Sequence, residues 1–260
     1  MKSYIILSHK GGVGKTTLTG SCASAISAKG HNVLMVDCDE QSSLTQWVLS
    51  KPNDHDANLI TALNEPHNSQ SIIVDAIHPI TEHLHLLPSP SYESLNVDLF
   101  RHFLAKSNNI IIYALELFLK TILSSQYDYV FFDVAPRFGV FEKTLLANID
   151  EVLYLMTPDY LVLKSFPLLT TLVSETNVVR SNNNKHPLAA DNIIINLINL
   201  SYRSHNDCIK QLNTYSKNGG TTYTYHYIKQ ARSLVNLQET NDIVGCGHNY
   251  NIRELAHTLV

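Results

Sequence analysis

The chain has 260 residues, 44% of them apolar and 16% charged, which is enough to bury a full core. A formal net charge of −4 excludes a surface that is basic throughout, but leaves room for a local basic patch. Cys22, Cys38, Cys208 and Cys246 stand far apart with no C-x-x-C pair, so buried reduced thiols are expected at Cys22 and Cys38.

In chain order, Lys2–Leu7 reads as an apolar strand, followed by a glycine-rich turn and a helix over Thr16–Lys29 that Gly30 ends. The turn, His9-Lys10-Gly11-Gly12-Val13-Gly14-Lys15-Thr16-Thr17, has the layout of a phosphate cradle for a nucleoside triphosphate. Its glycines let successive backbone N–H groups face phosphate oxygens, and the helix N-terminus adds partial positive charge. Lys15 is placed to reach the β- and γ-phosphates, and the Thr16 hydroxyl to sit on Mg²⁺. The strict pattern G-x-x-x-x-G-K-[ST] has His9 in place of its first glycine, and a second lysine, Lys10, stands five residues before Lys15.

Asn32–Val36 follows as a buried strand running into Asp37. Gln41–Ser89 is less regular, with a short strand at His83–Leu87 closed by Pro88 and Pro90. Asn109–Ser124 is apolar and long enough for a buried helix, and Tyr127–Phe132 is a strand ending at Asp133. Strands at Glu151–Met156, Asn192–Leu197 and Thr221–Ile228 alternate with helices near Val162–Val179 and His205–Tyr215. Arg180–His186 and Lys217–Gly220 read as exposed loops. The run Tyr223-Thr224-Tyr225-His226-Tyr227 alternates like a strand with one packed face. The whole pattern predicts an α/β fold, a mostly parallel doubly wound sheet flanked by helices, in one domain over residues 1–260.

Carboxylates at strand ends would complete a nucleotide site, because ligands of open α/β sheets bind there. Asp133, closing Phe131-Phe132-Asp133, would hold Mg²⁺ directly or through water. Asp37 and Asp39 supply two more carboxylates after the second strand. Aspartate after a strand also caps helices and forms turns, and Asp37 could simply brace the loop.

These residues resemble the ParA/MinD group of deviant Walker P-loop ATPases, and within it the ParA-type partition ATPases. The pattern K-G-G-x-G-K-T-T matches Lys10–Thr17, and D-x-D-x-Q is similar to Asp37–Gln41. Y-D-(apolar)₄-D-x-x-P is similar to the segment from Tyr127 to Pro136, with weaker likeness at Thr157–Tyr160 and Ile228-Lys229. The resemblance implies that ATP and Mg²⁺ are held by Lys10, Gly11, Gly12, Val13, Gly14, Lys15, Thr16 and Thr17. It implies an ATP-dependent homodimer in which Lys10 of each subunit reaches the other's phosphates. Asp39 would then orient or activate the attacking water while Asp133 supports the magnesium shell. Asn196 or Asn199 could read the adenine base or cap the loop, Asn199 being the candidate base contact.

The same likeness implies a ParB-like partner that stimulates hydrolysis, and binding to DNA without sequence preference. Lysines and arginines that release counterions would serve the latter, and Arg203, Lys210, Lys229 and Arg232 are the candidates. Three departures stand out: Glu40 replaces a proline, Val134 a threonine and Arg137 a small residue, which implies slow intrinsic hydrolysis. The alternative is a MinD-like positioning ATPase acting on a membrane or protein surface. A membrane is not expected, because Asn249–Val260 holds only Arg253 as a strong base. A metal-cluster carrier of the iron-protein type and a biosynthetic ligase share this P-loop, and the former would need paired cysteines. The expected setting is cytoplasmic, on the nucleoid when ATP is bound.

Overall fold

Eight strands hydrogen-bond into one sheet in the computed structural model, which describes residues 1–49, 59–65, 68–90, 109–123, 126–219, 222–229, 242–247 and 249–260. They are β1 (Lys2–Leu7), β2 (Val33–Asp37), β3 (His78–Pro79), β4 (Leu84–Leu87), β5 (Tyr129–Asp133), β6 (Glu151–Met156), β7 (Ala189–Ile198) and β8 (Thr224–Lys229). Their order is β3-β4-β2-β5-β1-β6-β7-β8, parallel throughout except for the antiparallel pair β3–β4 at one edge.

Side chains alternate between the two faces of a strand, and both faces here are apolar. Tyr4, Ile6, Val33, Met35 and Phe131 enter one layer; Ile5, Leu7, Leu34, Val36, Val130 and Phe132 enter the other. The first layer is closed by α1 (Lys15–Ser27), α2 (Ser43–Val48), α9 (Ile243–Gly247) and α10 (Tyr250–Leu259). The second is closed by α3 (Leu59–Asn64), α4 (Ser69–Ala76), α5 (Asn109–Leu123), α6 (Val140–Leu146), α7 (Tyr160–Asn182) and α8 (Arg203–Gly219). Parallel pairing puts the carboxyl ends of β1, β2, β5, β6 and β7 on one edge, so the loops that follow them share one cleft.

Three details differ from the sequence reading. The region Gln41–Ser89 contains the short helices α2, α3 and α4 and the edge strand β3. Helix α8 runs on to Gly219, taking in Lys217, and α7 runs through Arg180 to Asn182. Arg180 is buried, not looped out. Its guanidinium donates to the carbonyls of Ile149 and His186, each at 2.7 Å, and of Leu146 at 3.3 Å, so it ties α7 to the end of α6 and the entry to β6. Arg180→Ala would strand those acceptors and is expected to cost about 2–3 kcal/mol, read as a lower urea midpoint at unchanged slope.

Tyr223, just before β8, and Tyr225 on it pack against the second layer while Tyr227 is exposed, and His226 Nε2 donates to Asn192 Oδ1 at 2.8 Å. Cys22 and Cys38 are fully buried, and burial pushes the Cys22 thiol up to about 12 and the Cys38 thiol well up. Neither is a reactive thiol at neutral pH.

Candidate nucleotide-binding site

The phosphate loop, residues 8–14, links the end of β1 to the start of α1. Gly12 and Gly14 take φ values of 72° and 100°, the left-handed region that side chains rarely adopt. At Gly14 a Cβ would also lie 2.7 Å from Asn196 Nδ2. That amide donates to the Val13 carbonyl at 2.8 Å, and its Oδ1 accepts the Leu197 N–H at 2.9 Å. Leu197 has φ 58° where the β7–β8 register shifts. The end of β7 is thus clamped to the phosphate loop by one asparagine, and the backbone strain at Leu197 sits beside it.

No side chain caps α1 and no acid occupies its first turn, so its N-terminus is free to receive an anion. Lys15, the first residue of α1, is 8% exposed. Burial lowers its pKa, and the charges of Asp133 and Asp39 oppose that fall. Asp133 is buried and neither of its carboxylate oxygens makes a hydrogen bond. Burial first, then Asp37, pushes its pKa well up; the Thr16 hydroxyl faces the carboxylate without closing a good hydrogen bond, and with Lys15 works against the rise. A dry carboxylate with both oxygens unpartnered, beside a threonine hydroxyl, is what a cation would satisfy. Thr16 and Asp133 therefore fit a magnesium ion completed by phosphate oxygens and water.

Asp37 is the register partner of Asp133 across β2 and β5. Its carboxylate accepts the Thr45 N–H at 2.9 Å, the Thr45 hydroxyl at 2.7 Å and the Asp39 N–H at 3.1 Å, so it braces the turn into α2. Burial nevertheless lifts its pKa to about 6. Asp39 is half-buried; its carboxylate accepts the Gln41 N–H at 2.9 Å, and its carbonyl accepts the Ser42 N–H and the Ser89 hydroxyl, each at 2.9 Å. Lys10, at the rim, places Nζ 3.3 Å from Asp159 Oδ2. Asp159 caps α7 by accepting the Leu161 N–H, and that bond, then Lys10, holds its pKa down.

The structure brings Lys15, Thr16, Asp39 and Asp133 to one cleft and places Asn199 differently. Asn199 accepts the Ser201 N–H on Oδ1, and its N–H donates to His205 Nδ1, which is the geometry of a loop cap. It also lines, with Ile198, Leu200, Ser201 and Lys229, a cavity of about 400 Å³ at the strand-end edge. Sequence reasoning did not assign Asp159, or the clamping role of Asn196.

A family model described as an AAA domain matches residues 1–187. The chain belongs to this family, the ParA/MinD type of P-loop ATPase. The virulence plasmid ParA family protein pGP5-D of Chlamydia psittaci is 33% identical over 61% of the chain and 58% of its own length. The cell division protein PomZ of Myxococcus xanthus is 27% identical over 82% of the chain and 63% of its own length. A Borrelia burgdorferi protein assigned to plasmid partition, solved with AMPPNP bound, shares the fold with a TM-score of 0.73 at 24% identity, covering 100% of the chain and 99% of that structure. The chain spans from 52% to 82% of the length of the first curated relatives it matches.

Of the four candidate DNA-contacting residues, three lie among the described residues. Arg203 and Lys210 lie exposed on α8 and share Asp207, at 3.8 and 3.3 Å. Lys229 stands at the cavity beside Asn199, and Arg232 lies outside the described residues. Among the described residues, no helix is long and apolar enough to cross a membrane.

Proposed function

We propose that the chain, acting as one domain over residues 1–260, is a ParA-type switch that hydrolyses ATP and dimerises when ATP is bound. As that dimer it binds DNA without sequence preference and drives plasmid or chromosome partition, with a ParB-like partner stimulating hydrolysis. It works in the cytoplasm and sits on the nucleoid in its ATP state. The observation that carries this reading is the convergence of Lys15, Thr16 and Asp133 in a dry strand-end cleft, with Lys10 held at its rim.

The loop N–H groups and Lys15 bind the phosphates, and Asp39 orients water at the mouth of the cleft. Magnesium, held by Thr16 and Asp133, supplies charge neutralisation on the phosphate oxygens when bound. The base enters the cavity beside Asn199 and Lys229, and Asn196 keeps that end of β7 in step with the phosphate loop. Val134 offers no hydroxyl near the reacting phosphate, so basal turnover falls well below the roughly 10 per second of ordinary enzymes.

Lys10 and Asp159 are both well exposed, and such pairs contribute only about 0–1 kcal/mol, so Lys10 is readily released toward a second subunit. Around them Tyr160 and Leu161 follow β6, and Leu200 and Tyr202 follow the neighbouring β7, all large, apolar and exposed. An apolar rim at the cleft suits a face-to-face second copy. Two copies would also double the Arg203–Lys210 surface, which supports the DNA reading. The MinD-like alternative has less support: Ile252, Leu255, Ala256 and Leu259 of α10 are buried in the layer that α1 shares, so the apolar face of that helix is already used.

The test is binding to random-sequence duplex DNA with ADP, ATP and a non-hydrolysable analogue, for wild type and Lys10→Ala. Binding and dimerisation are expected only with a triphosphate, and the variant should lose both while still binding nucleotide as a monomer. Binding in no state, or equally in all, would count against partition.

A further inference from the structure

Two departures from the family pattern, at positions 40 and 137, meet in space. Arg137 lies in the loop after β5, 97 residues from Glu40, and donates from Nη1 to Glu40 Oε2 at 3.3 Å. Its Nε donates to Glu142 Oε1, also at 3.3 Å. Glu142 is only 1% exposed, and its second oxygen accepts the Gly139 N–H at 2.8 Å, which caps α6. One side of the guanidinium is therefore anchored to a buried carboxylate that the helix start already fixes. The other side reaches the residue next to Asp39. The same loop touches the phosphate loop through Phe138, whose ring stacks on His9 at 5.8 Å and 17°. The Arg137 side chain is 36% exposed, but its Nη2 is buried and makes no hydrogen bond, so the group keeps one donor unused.

We propose that Arg137 is a positioning residue, strapping the Asp39 turn to the loop that follows Asp133 through Glu40 on one side and Glu142 on the other. The proposal rests on the ATPase reading, in which Asp39 and Asp133 must keep a fixed relation to one phosphate. A proline at position 40 would restrict the turn by fixing φ; glutamate leaves it free, and the ion pair supplies the restraint instead. Arginine suits the task because its rigid planar fork meets two carboxylates at once, whereas a lysine ammonium does so as a point charge on a flexible stem.

The test compares wild type, Glu40→Gln, Arg137→Ala, Arg137→Lys and the double variant Glu40→Gln/Arg137→Ala. Amide hydrogen exchange over residues 38–44, single-turnover ATP hydrolysis and nucleotide affinity are read on each. Exchange over that segment should speed up in both Glu40→Gln and Arg137→Ala, with the double variant no faster than Arg137→Ala. Hydrolysis should fall roughly tenfold, the scale of a small misplacement of a catalytic group, with affinity held within about twofold. Arg137→Lys should recover part of both. Unchanged exchange in Glu40→Gln, or single effects that multiply in the double variant, would overturn the strap. Because Arg137→Ala leaves Glu142 buried with less compensation, the milder Glu40→Gln decides should that variant fail to fold. A wild type that binds ATP without hydrolysing it would sink the ATPase reading, and the exchange arm would still judge the strap.

Discussion

Lys15→Ala is expected to lower the affinity for magnesium–ATP by roughly 100-fold or more while leaving the fold intact. The lysine is almost wholly buried, and burial pulls its pKa down even before a ligand arrives. Asp133 and Asp39 oppose that fall, and a triphosphate would add strongly to their effect. Removing one partner of a buried charge pair costs about 2–5 kcal/mol, and each 1.4 kcal/mol or so is a factor of ten. The fold should tolerate the change, because α1 is held by Leu18, Cys22, Ala23 and Ile26 and not by its first side chain. Isothermal titration with a non-hydrolysable analogue, beside a thermal melt, reads both quantities. An affinity within about threefold of wild type would remove Lys15 from the site. Lys10→Ala is the contrasting control: its ammonium sits on Asp159 and not in the cleft, so the monomer's affinity should be kept.

How much of this was legible depends on the range of the forces involved. The buried parallel strands announce themselves as short apolar runs, and β1, β2, β5 and β6 were recognisable within a residue or two. Helices of six to eight residues such as α2, α3 and α4 carry no such signal, because their stability comes from packing and not from propensity. Arg180 misled for a related reason: beside Asn182-Asn183-Asn184 it reads as a polar loop, and only the carbonyls of Leu146 and Ile149 show where its charge goes. At the candidate site, the turn between β1 and α1, with Lys15 and Thr16 opening the helix, was legible because the motif's spacing dictates that layout. The clamp made by Asn196 and the pairing of Asp159 were not, since their partners Val13 and Lys10 lie 183 and 149 residues away. Nothing local marks an asparagine that clamps a distant loop.

Asp133→Asn is expected to do two opposite things, weakening magnesium-dependent hydrolysis while raising the melting temperature of the magnesium-free protein. The carboxylate is buried with both oxygens unpartnered, and neighbouring Asp37 adds like charge across the strand pair. An amide of the same shape carries no charge into that dry site. The gain should be about 1–3 kcal/mol, or about 3–10 °C for a chain of this size. Acids whose pKa is raised in the folded state bind protons more tightly folded than unfolded, so their stabilising share is complete below the unfolded pKa near 4 and is lost as pH rises through the folded value. For Asp37 that loss runs through about pH 6, and Asp133, whose pKa burial also pushes well up, contributes a loss of the same sign. Wild type in a chelator should therefore melt lower at pH 7.5 than at pH 5.5, and Asp133→Asn should flatten that decline. Magnesium with a nucleotide analogue should restore wild type at pH 7.5, because it binds the ionised form, and should do little for the variant. Calorimetry at the two pH values, with chelator and with magnesium–analogue, checks each point. A variant that melts lower than wild type in chelator at pH 7.5 would mean that Asp133 is stabilising as it stands, and that a cation is not what its oxygens lack.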